Sequence, residues 1–106
     1  MGVEMRGSDP ENIEVYSELA DFFKIFGDPT RLKILVLLGN GEAKVTDISE
    51  KIHMTQSAVS HQLRILKQSR IVKLRKDGKC AFYTFDDDHI GKILKTGLDH
   101  ILEGKK

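Results

Sequence analysis

The chain of 106 residues and 12.0 kDa has room for one small domain and not two. Hydrophobic residues make up 40% and charged residues 31%. That is the balance of a soluble globular protein, and no apolar run approaches the ~20 residues of a membrane span. Met1–Pro10 lacks the basic-then-apolar order of a signal peptide. A single cysteine, Cys80, excludes an internal disulfide and any site built from several thiolates of one chain, and it fits a reducing cytoplasm. The net charge of +1 conceals an asymmetry. Residues 53–85 hold seven bases and one acid, residues 1–52 ten acids and six bases, and residues 86–103 five acids and two bases. A basic segment between two acidic ones is either a local anion-binding surface or a solvated basic face.

In chain order, residues 1–10 show no periodic pattern and read as a flexible arm, with a single domain over 11–106. From Glu11, the residues Val15, Leu19, Phe22, Phe23 and Phe26 recur at helical spacing until Gly27. Asp28-Pro29 supplies an N-cap and a first-turn proline for a second helix, whose buried side is Leu32, Leu35, Val36 and Leu38. Gly39-Asn40-Gly41 ends it, these residues tolerating the left-handed conformation. A third helix fits Val45 to Ile52, burying Val45, Ile48 and Ile52. The turn His53-Met54-Thr55 follows, and Thr55 caps a fourth helix from Gln56 to about Ser69. Ile71–Arg75 and Ala81–Phe85 read as strands around Lys76-Asp77-Gly78-Lys79, a hairpin signal. Asp86 to Glu103 reads as a last helix with Ile90, Ile93, Leu94, Leu98 and Ile101 on its apolar side. Two short helices across a three-residue turn, followed by a β-ribbon, predict a mainly α fold with a β-hairpin: a winged helix-turn-helix.

The helix after Thr55 has two distinct faces. Val59, Leu63 and Leu66 point inward, while Ser57, Ser60, His61, Arg64 and Gln68 form one polar stripe without an acid. Solvated helices ordinarily mix Glu with Lys. A helix that enters a major groove instead needs small hydrogen-bonding groups near its N-terminus, an arginine that can fork to guanine, and no carboxylate near phosphate. Gln56, Ser57, Ser60, His61, Arg64 and Lys67 are therefore candidate DNA contacts. Arg75, Lys76 and Lys79 near the hairpin tip are candidate backbone contacts. The competing reading is a polar surface helix beside a hairpin whose bases only prevent aggregation. Ser60-His61 is no nucleophile–base pair, because neighbouring helical side chains point about 100° apart. No phosphate-binding glycine loop or catalytic carboxylate pair is present, so an enzyme is not expected.

The last helix carries Asp87, His89, His100 and Glu103, all ligand types for zinc or a similar ion. His89 and His100 share a face but stand ~16 Å apart along the axis, beyond the reach of metal–ligand bonds of ~2 Å. One chain cannot assemble this site. The 89/100 and 87/103 pairs have nearly the same midpoint, so two antiparallel copies related by a two-fold axis near Leu94–Lys95 would bring Asp87 and His89 beside the partner's His100 and the partner's Glu103, twice per dimer. Gly91 and Gly97 would permit close helix approach. The competing reading is that Asp86-Asp87-Asp88 only caps the helix and the histidines are half-exposed surface groups. Cys80 is expected as a small buried or half-buried residue.

Three segments carry a family resemblance spanning about residues 15–103: "FKIFGDPTRLKILVLL", "TQSAVSHQLRILKQSRIVKLRKDGK" and "YTFDDDHIGKILKTGLDHILE". The sequence resembles the ArsR/SmtB family of metal-responsive repressors. The third segment is similar to the C-terminal-helix site of its zinc-sensing branch, with Asp87-x-His89 and His100-x-x-Glu103. The resemblance implies a cytoplasmic homodimeric repressor, joined through its N- and C-terminal helices. It also implies that the apo form binds double-stranded operator DNA and that Zn(II) lowers the affinity, with Co(II) as a substitute in vitro. Family members with a thiolate site carry a cysteine where this chain has Lys44, within Glu42-Ala43-Lys44-Val45. The implied ligand set is then nitrogen and oxygen only. The alternatives are a winged-helix repressor with a redox effector at Cys80 or a protein effector, and a small protein-interaction module.

Overall fold

The computed structural model describes residue 2 and residues 5–105; Met1, Val3 and Glu4 of the expected arm, and Lys106, lie outside the described residues. The elements are α1 (Ile13–Ile25), α2 (Pro29–Leu38), α3 (Val45–Ile52), α4 (Gln56–Gln68), β1 (Val72–Asp77), β2 (Cys80–Phe85) and α5 (Asp88–Glu103), in the predicted order. α1 begins two residues later than expected because Asp9 organises a turn before it. The Asp9 carboxylate accepts from the Glu11 N–H at 3.0 Å, and its carbonyl accepts from the Asn12 N–H at 3.0 Å. The caps of α2 and α4 form as the sequence predicts. The Asp28 carboxylate accepts from the Arg31 N–H at 2.9 Å with Pro29 in the first turn, and Thr55 Oγ1 accepts from the Ala58 N–H at 3.1 Å.

Two left-handed residues flank α4 and shape its surroundings. His53, at φ 57°, closes α3, and the His53 and Met54 N–H groups both donate to the Ser49 carbonyl. The Ser49 hydroxyl donates to the Met54 carbonyl, tying the turn from the other side. After α4, Arg70 at φ 59° reverses the chain. Arg70 N–H donates to Lys67 O and Ile71 N–H to Leu66 O, the paired bonds of a Schellman cap. This cap delivers Ile71 and Val72, both essentially inaccessible, into the core. After α2 the expectation fails in detail: Gly39 stays right-handed at φ −61°, and the positive φ falls on Gly41 at +132°.

The strands form an antiparallel hairpin with Val72 opposite Phe85 and Asp77 opposite Cys80. The ladder therefore extends further than predicted, and the loop is only Gly78-Lys79, with Gly78 at φ +62°. A two-residue loop with positive φ at its first position keeps the twist of the flanking strands. The sequence reading missed a third pairing. Ala43, just before α3, bridges Tyr83 through backbone bonds of 3.1 and 2.9 Å, so β2 is flanked on both sides.

The core consists of Ile34, Leu35, Leu38, Ile48, Val59, Leu63, Leu66, Ile71, Val72, Ile90 and Leu94. On α2, Ile34 is buried and Val36 is 40% exposed, the reverse of the prediction. Val36 and Leu32, one helical turn apart, face instead an apolar groove shared with Phe23 of α1, Phe26 just after it, and Ile93, Leu98 and Ile101 of α5. No residue of α1 is buried, and Val15, Leu19, Phe23, Leu98 and Ile101 are exposed. A compact chain of this mass exposes about 6,000 Å²; this one exposes 8205 Å². Its radius of gyration is 15.7 Å, against about 13 Å for a compact domain of similar length. The apolar outer helices thus lack a covering. Among the described residues no helix is long and apolar enough to cross a membrane.

Candidate nucleic-acid interface and metal half-sites

α4 is anchored by Val59, Leu63 and Leu66, all fully buried. That fixes its rotation and turns the polar stripe outward. Gln56, Ser57, His61, Arg64, Lys67 and Gln68 are exposed, and Ser60 is half-buried at the edge of the stripe. At the N-terminus of α4, after the α3–α4 turn, Thr55, Gln56 and Ser57 are all exposed. A side-chain tie missed by the sequence reading braces this geometry: Arg31 Nε donates to Gln62 Oε1 at 3.0 Å, linking the first turn of α2 to the middle of α4. No acid lies in the first turn of α4, so the exposed end of the helix presents donors and positive charge to an anion.

On the hairpin, Lys76 and Lys79 are exposed as predicted. Arg75 is also at the surface, but its guanidinium is already engaged. Its Nε and Nη2 donate to Glu42 Oε2 and Oε1 at 3.0 and 2.6 Å, its Cζ lies 4.8 Å from the centre of the Phe82 ring, and Nη1 is 3.9 Å from Asp77 Oδ2. The hydrogen bond from Arg75 holds the Glu42 carboxyl below the usual range against a smaller desolvation effect, and the Arg75 charge adds to the lowering. The same bond raises Arg75, with desolvation opposing it. Glu42 carried no signal in the sequence, because its partner lies 33 residues away.

Just after β2, Asp87 is the N-cap of α5, which starts two residues later than predicted. Its Oδ1 accepts from the His89 N–H at 2.9 Å and lies 3.4 Å from His89 Nδ1. Desolvation pushes the Asp87 carboxyl up, but the hydrogen bonds and charge of His89 outweigh it and hold the group below its ordinary value. The structure therefore brings Asp87 and His89 together at the surface. His100 and Glu103 are exposed one turn apart at the far end of the same helix and make no side-chain hydrogen bond or ion pair among the described residues. Among the described residues of one chain, no three His, Cys, Asp or Glu side chains gather around a common point. The donors stand as two separate pairs, and their chemistry, imidazole and carboxylate, suits a borderline divalent ion.

The two helix glycines differ in setting. A Cβ on Gly91 would meet the Phe85 ring of its own hairpin at 3.4 Å. Gly97 faces open space in the apolar groove. Cys80 is exposed at the start of β2, contrary to the expected half-burial, because the ladder places it at the very tip.

Residues 28–73, from the α2 cap into β1, match the family model described as bacterial regulatory protein, arsR family. The chain is 34% identical over 102 residues to a transcriptional repressor SmtB homolog of Synechocystis sp., covering 94% of this chain and 77% of that one. It is 37% identical over 84 residues to a cadmium resistance transcriptional regulatory protein CadC homolog of Staphylococcus aureus, covering 78% and 69%. Among solved structures it is similar to apo-NmtR in solution, with a TM-score of 0.76 at 38% identity over 93% of this chain and 85% of that one. The fold also matches a homodimeric winged helix-turn-helix DNA-binding domain from Mycobacterium bovis, with a TM-score of 0.77 at 24% identity, covering 95% and 92%. The chain therefore belongs to the ArsR family of bacterial regulatory proteins, winged helix-turn-helix transcriptional regulators and not enzymes.

Proposed function

We propose that the chain is a cytoplasmic metal-sensing repressor whose homodimer binds operator DNA when metal-free and loses affinity when Zn(II) is held between its C-terminal helices. The observation that carries this reading is the pair of donor sets on α5. Asp87 with His89, and His100 with Glu103, are exposed at opposite ends of one helix with a common midpoint. A two-fold axis there turns two incomplete pairs into two four-ligand sites. Asp87 and His89 would hold the ion with the partner's His100 and the partner's Glu103. The bound ion would supply a closed, regulatory crosslink between protomers.

The uncovered apolar faces of α1 and α5 support dimerisation through those helices. In such a dimer, Gln56, Ser57, Ser60, His61 and Arg64 meet base edges while Lys67, Lys76 and Lys79 meet phosphates, with the two recognition helices in successive major grooves ~34 Å apart. Zinc is favoured over a thiophilic ion because every donor is nitrogen or oxygen and Lys44 stands where a thiolate site would need cysteine. Co(II) is expected to substitute. The relatives named for other metals have names that apply to those proteins. Coupling is reciprocal: if metal weakens DNA binding, DNA weakens metal binding by the same factor.

The test is duplex binding at fixed low salt, titrated with Zn(II), Co(II), Ni(II) and Cd(II). Zinc is expected to release the duplex from the wild type. His100→Ala should keep duplex binding and lose the response, and loss of both would assign His100 a structural role. A redox effector is the second reading, favoured by the exposure of Cys80. It predicts that Cys80→Ser loses the response while His100→Ala retains it. Failure to bind any duplex at low salt would favour a protein-interaction module.

A further inference from the structure

Arg75 is on β1, and Glu42 lies beyond the opposite edge of β2, next to the Ala43–Tyr83 bridge. To reach Glu42, the Arg75 side chain crosses its cross-strand partner Phe82, and its guanidinium lies over that ring at 4.8 Å. At the far side it meets both carboxylate oxygens in a forked pair at 3.0 and 2.6 Å. Its remaining terminal nitrogen faces Asp77 at 3.9 Å. One side chain thus straps together the three segments that make up the wing, with two of its nitrogens donating to Glu42 and the third within 3.9 Å of Asp77. A forked arginine–carboxylate pair holds a fixed orientation that a point charge does not. The wing is tied in this way to the segment that leads directly into α3.

Building on the DNA-binding reading above, we propose that Glu42 and Arg75 are positioning residues of the wing: Glu42 holds the Arg75 guanidinium away from the DNA backbone and sets the wing's angle, leaving Lys76 and Lys79 as its phosphate contacts. The charge pattern agrees with this division. Glu42 and Asp77 neutralise Arg75, while Lys76 and Lys79 are in no ion pair among the described residues.

The experiment is the salt dependence of duplex binding for the full chain and for Arg75→Ala, Glu42→Gln and Lys76→Ala. It is paired with amide hydrogen exchange of the same proteins without DNA. Each lost phosphate contact flattens the slope of log K against log salt by about 0.9. Lys76→Ala should flatten it by that amount. Arg75→Ala should leave the slope unchanged while affinity for an operator falls about two- to fivefold. Glu42→Gln should steepen the slope, since the freed guanidinium can then reach phosphate. Without DNA, the Ala43 and Tyr83 amides should exchange faster in Glu42→Gln and Arg75→Ala and as in wild type in Lys76→Ala. A slope flattened by Arg75→Ala as much as by Lys76→Ala overturns the proposal, because Arg75 is then itself a phosphate contact. If the wild type binds no duplex, the DNA-binding reading fails. The exchange measurement still judges the clamp, and unchanged exchange at Ala43 and Tyr83 overturns it.

Discussion

Asp87 Oδ1 lies 2.9 Å from the backbone nitrogen of His89 and 3.4 Å from its ring Nδ1, so one carboxylate both caps α5 and touches the imidazole beside it. The two roles can be separated chemically. Asparagine caps a helix about as well as aspartate, whereas alanine does not. Asn at this position also removes the anionic ligand. Asp87→Asn should therefore keep most of the thermal midpoint of the metal-free protein, giving up only what the carboxylate charge adds beside His89, and weaken zinc binding by more than about tenfold. Asp87→Ala should lose both. Zinc affinity retained in the Asn variant would leave Asp87 as a cap alone.

In the proposed function α4 is the helix that meets base edges. Ser60→Ala and Arg64→Ala are expected to weaken binding to a specific operator by about 1–3 kcal/mol each if they meet base edges. Zinc stoichiometry should stay unchanged. Competition between operator and random duplex measures this, and the loss should be larger on the operator than on the random sequence.

The apolar face of α1 and α5 gives a prediction on assembly. Leu98 is 41% exposed and Ile101 56% exposed, so neither supports the core of its own chain. Leu98→Glu and Ile101→Glu should yield a folded monomer with native helical content. Sedimentation velocity should show the change in mass. Leu63→Ala, fully buried, should instead cost about 2–5 kcal/mol in stability.

Acid has a defined effect through Glu42 and Asp87. Both are held below their ordinary values in the folded chain, Glu42 by the Arg75 hydrogen bond and Asp87 by His89 against desolvation. The unfolded chain therefore takes up these protons first as pH falls. Each group contributes stability in full above the ordinary carboxylate range of about 4, and that contribution is lost as pH drops through the folded value. The difference in denaturation midpoint between wild type and Glu42→Gln should be largest at neutral pH and shrink toward zero at low pH. A difference independent of pH would mean that the Glu42 charge contributes nothing through its pairing.

Element order and type were legible in the sequence because the local signals were strong: Asp28-Pro29, Thr55, the inward Val59, Leu63 and Leu66, and Asp-Gly in the hairpin. Val36 was misassigned because periodicity distinguishes apolar from polar faces and not a core from a surface groove; Leu32 and Val36 line the apolar groove shared with α1 and α5. The positions of Glu42 and Gln62 were not legible. Each matters only through an arginine 33 or 31 residues away, and such a pairing leaves no periodic trace. The spacing of the donor pairs on α5 was legible for the opposite reason: helix geometry fixes it, and the juxtaposition proposed across a dimer involves a second chain.

The shared site is tested most directly by complementation. A chain with Asp87→Ala and His89→Ala is mixed with a chain carrying His100→Ala and Glu103→Ala, under conditions that exchange protomers, and zinc binding is titrated. Each variant alone should bind zinc weakly, because every site in its homodimer lacks half its ligands. The mixed dimer should regain one tight site, formed by Asp87 and His89 of one protomer with His100 and Glu103 of the other. Tight zinc binding by either homodimer, or no recovery in a mixture shown to contain mixed dimers, would contradict a site divided between protomers.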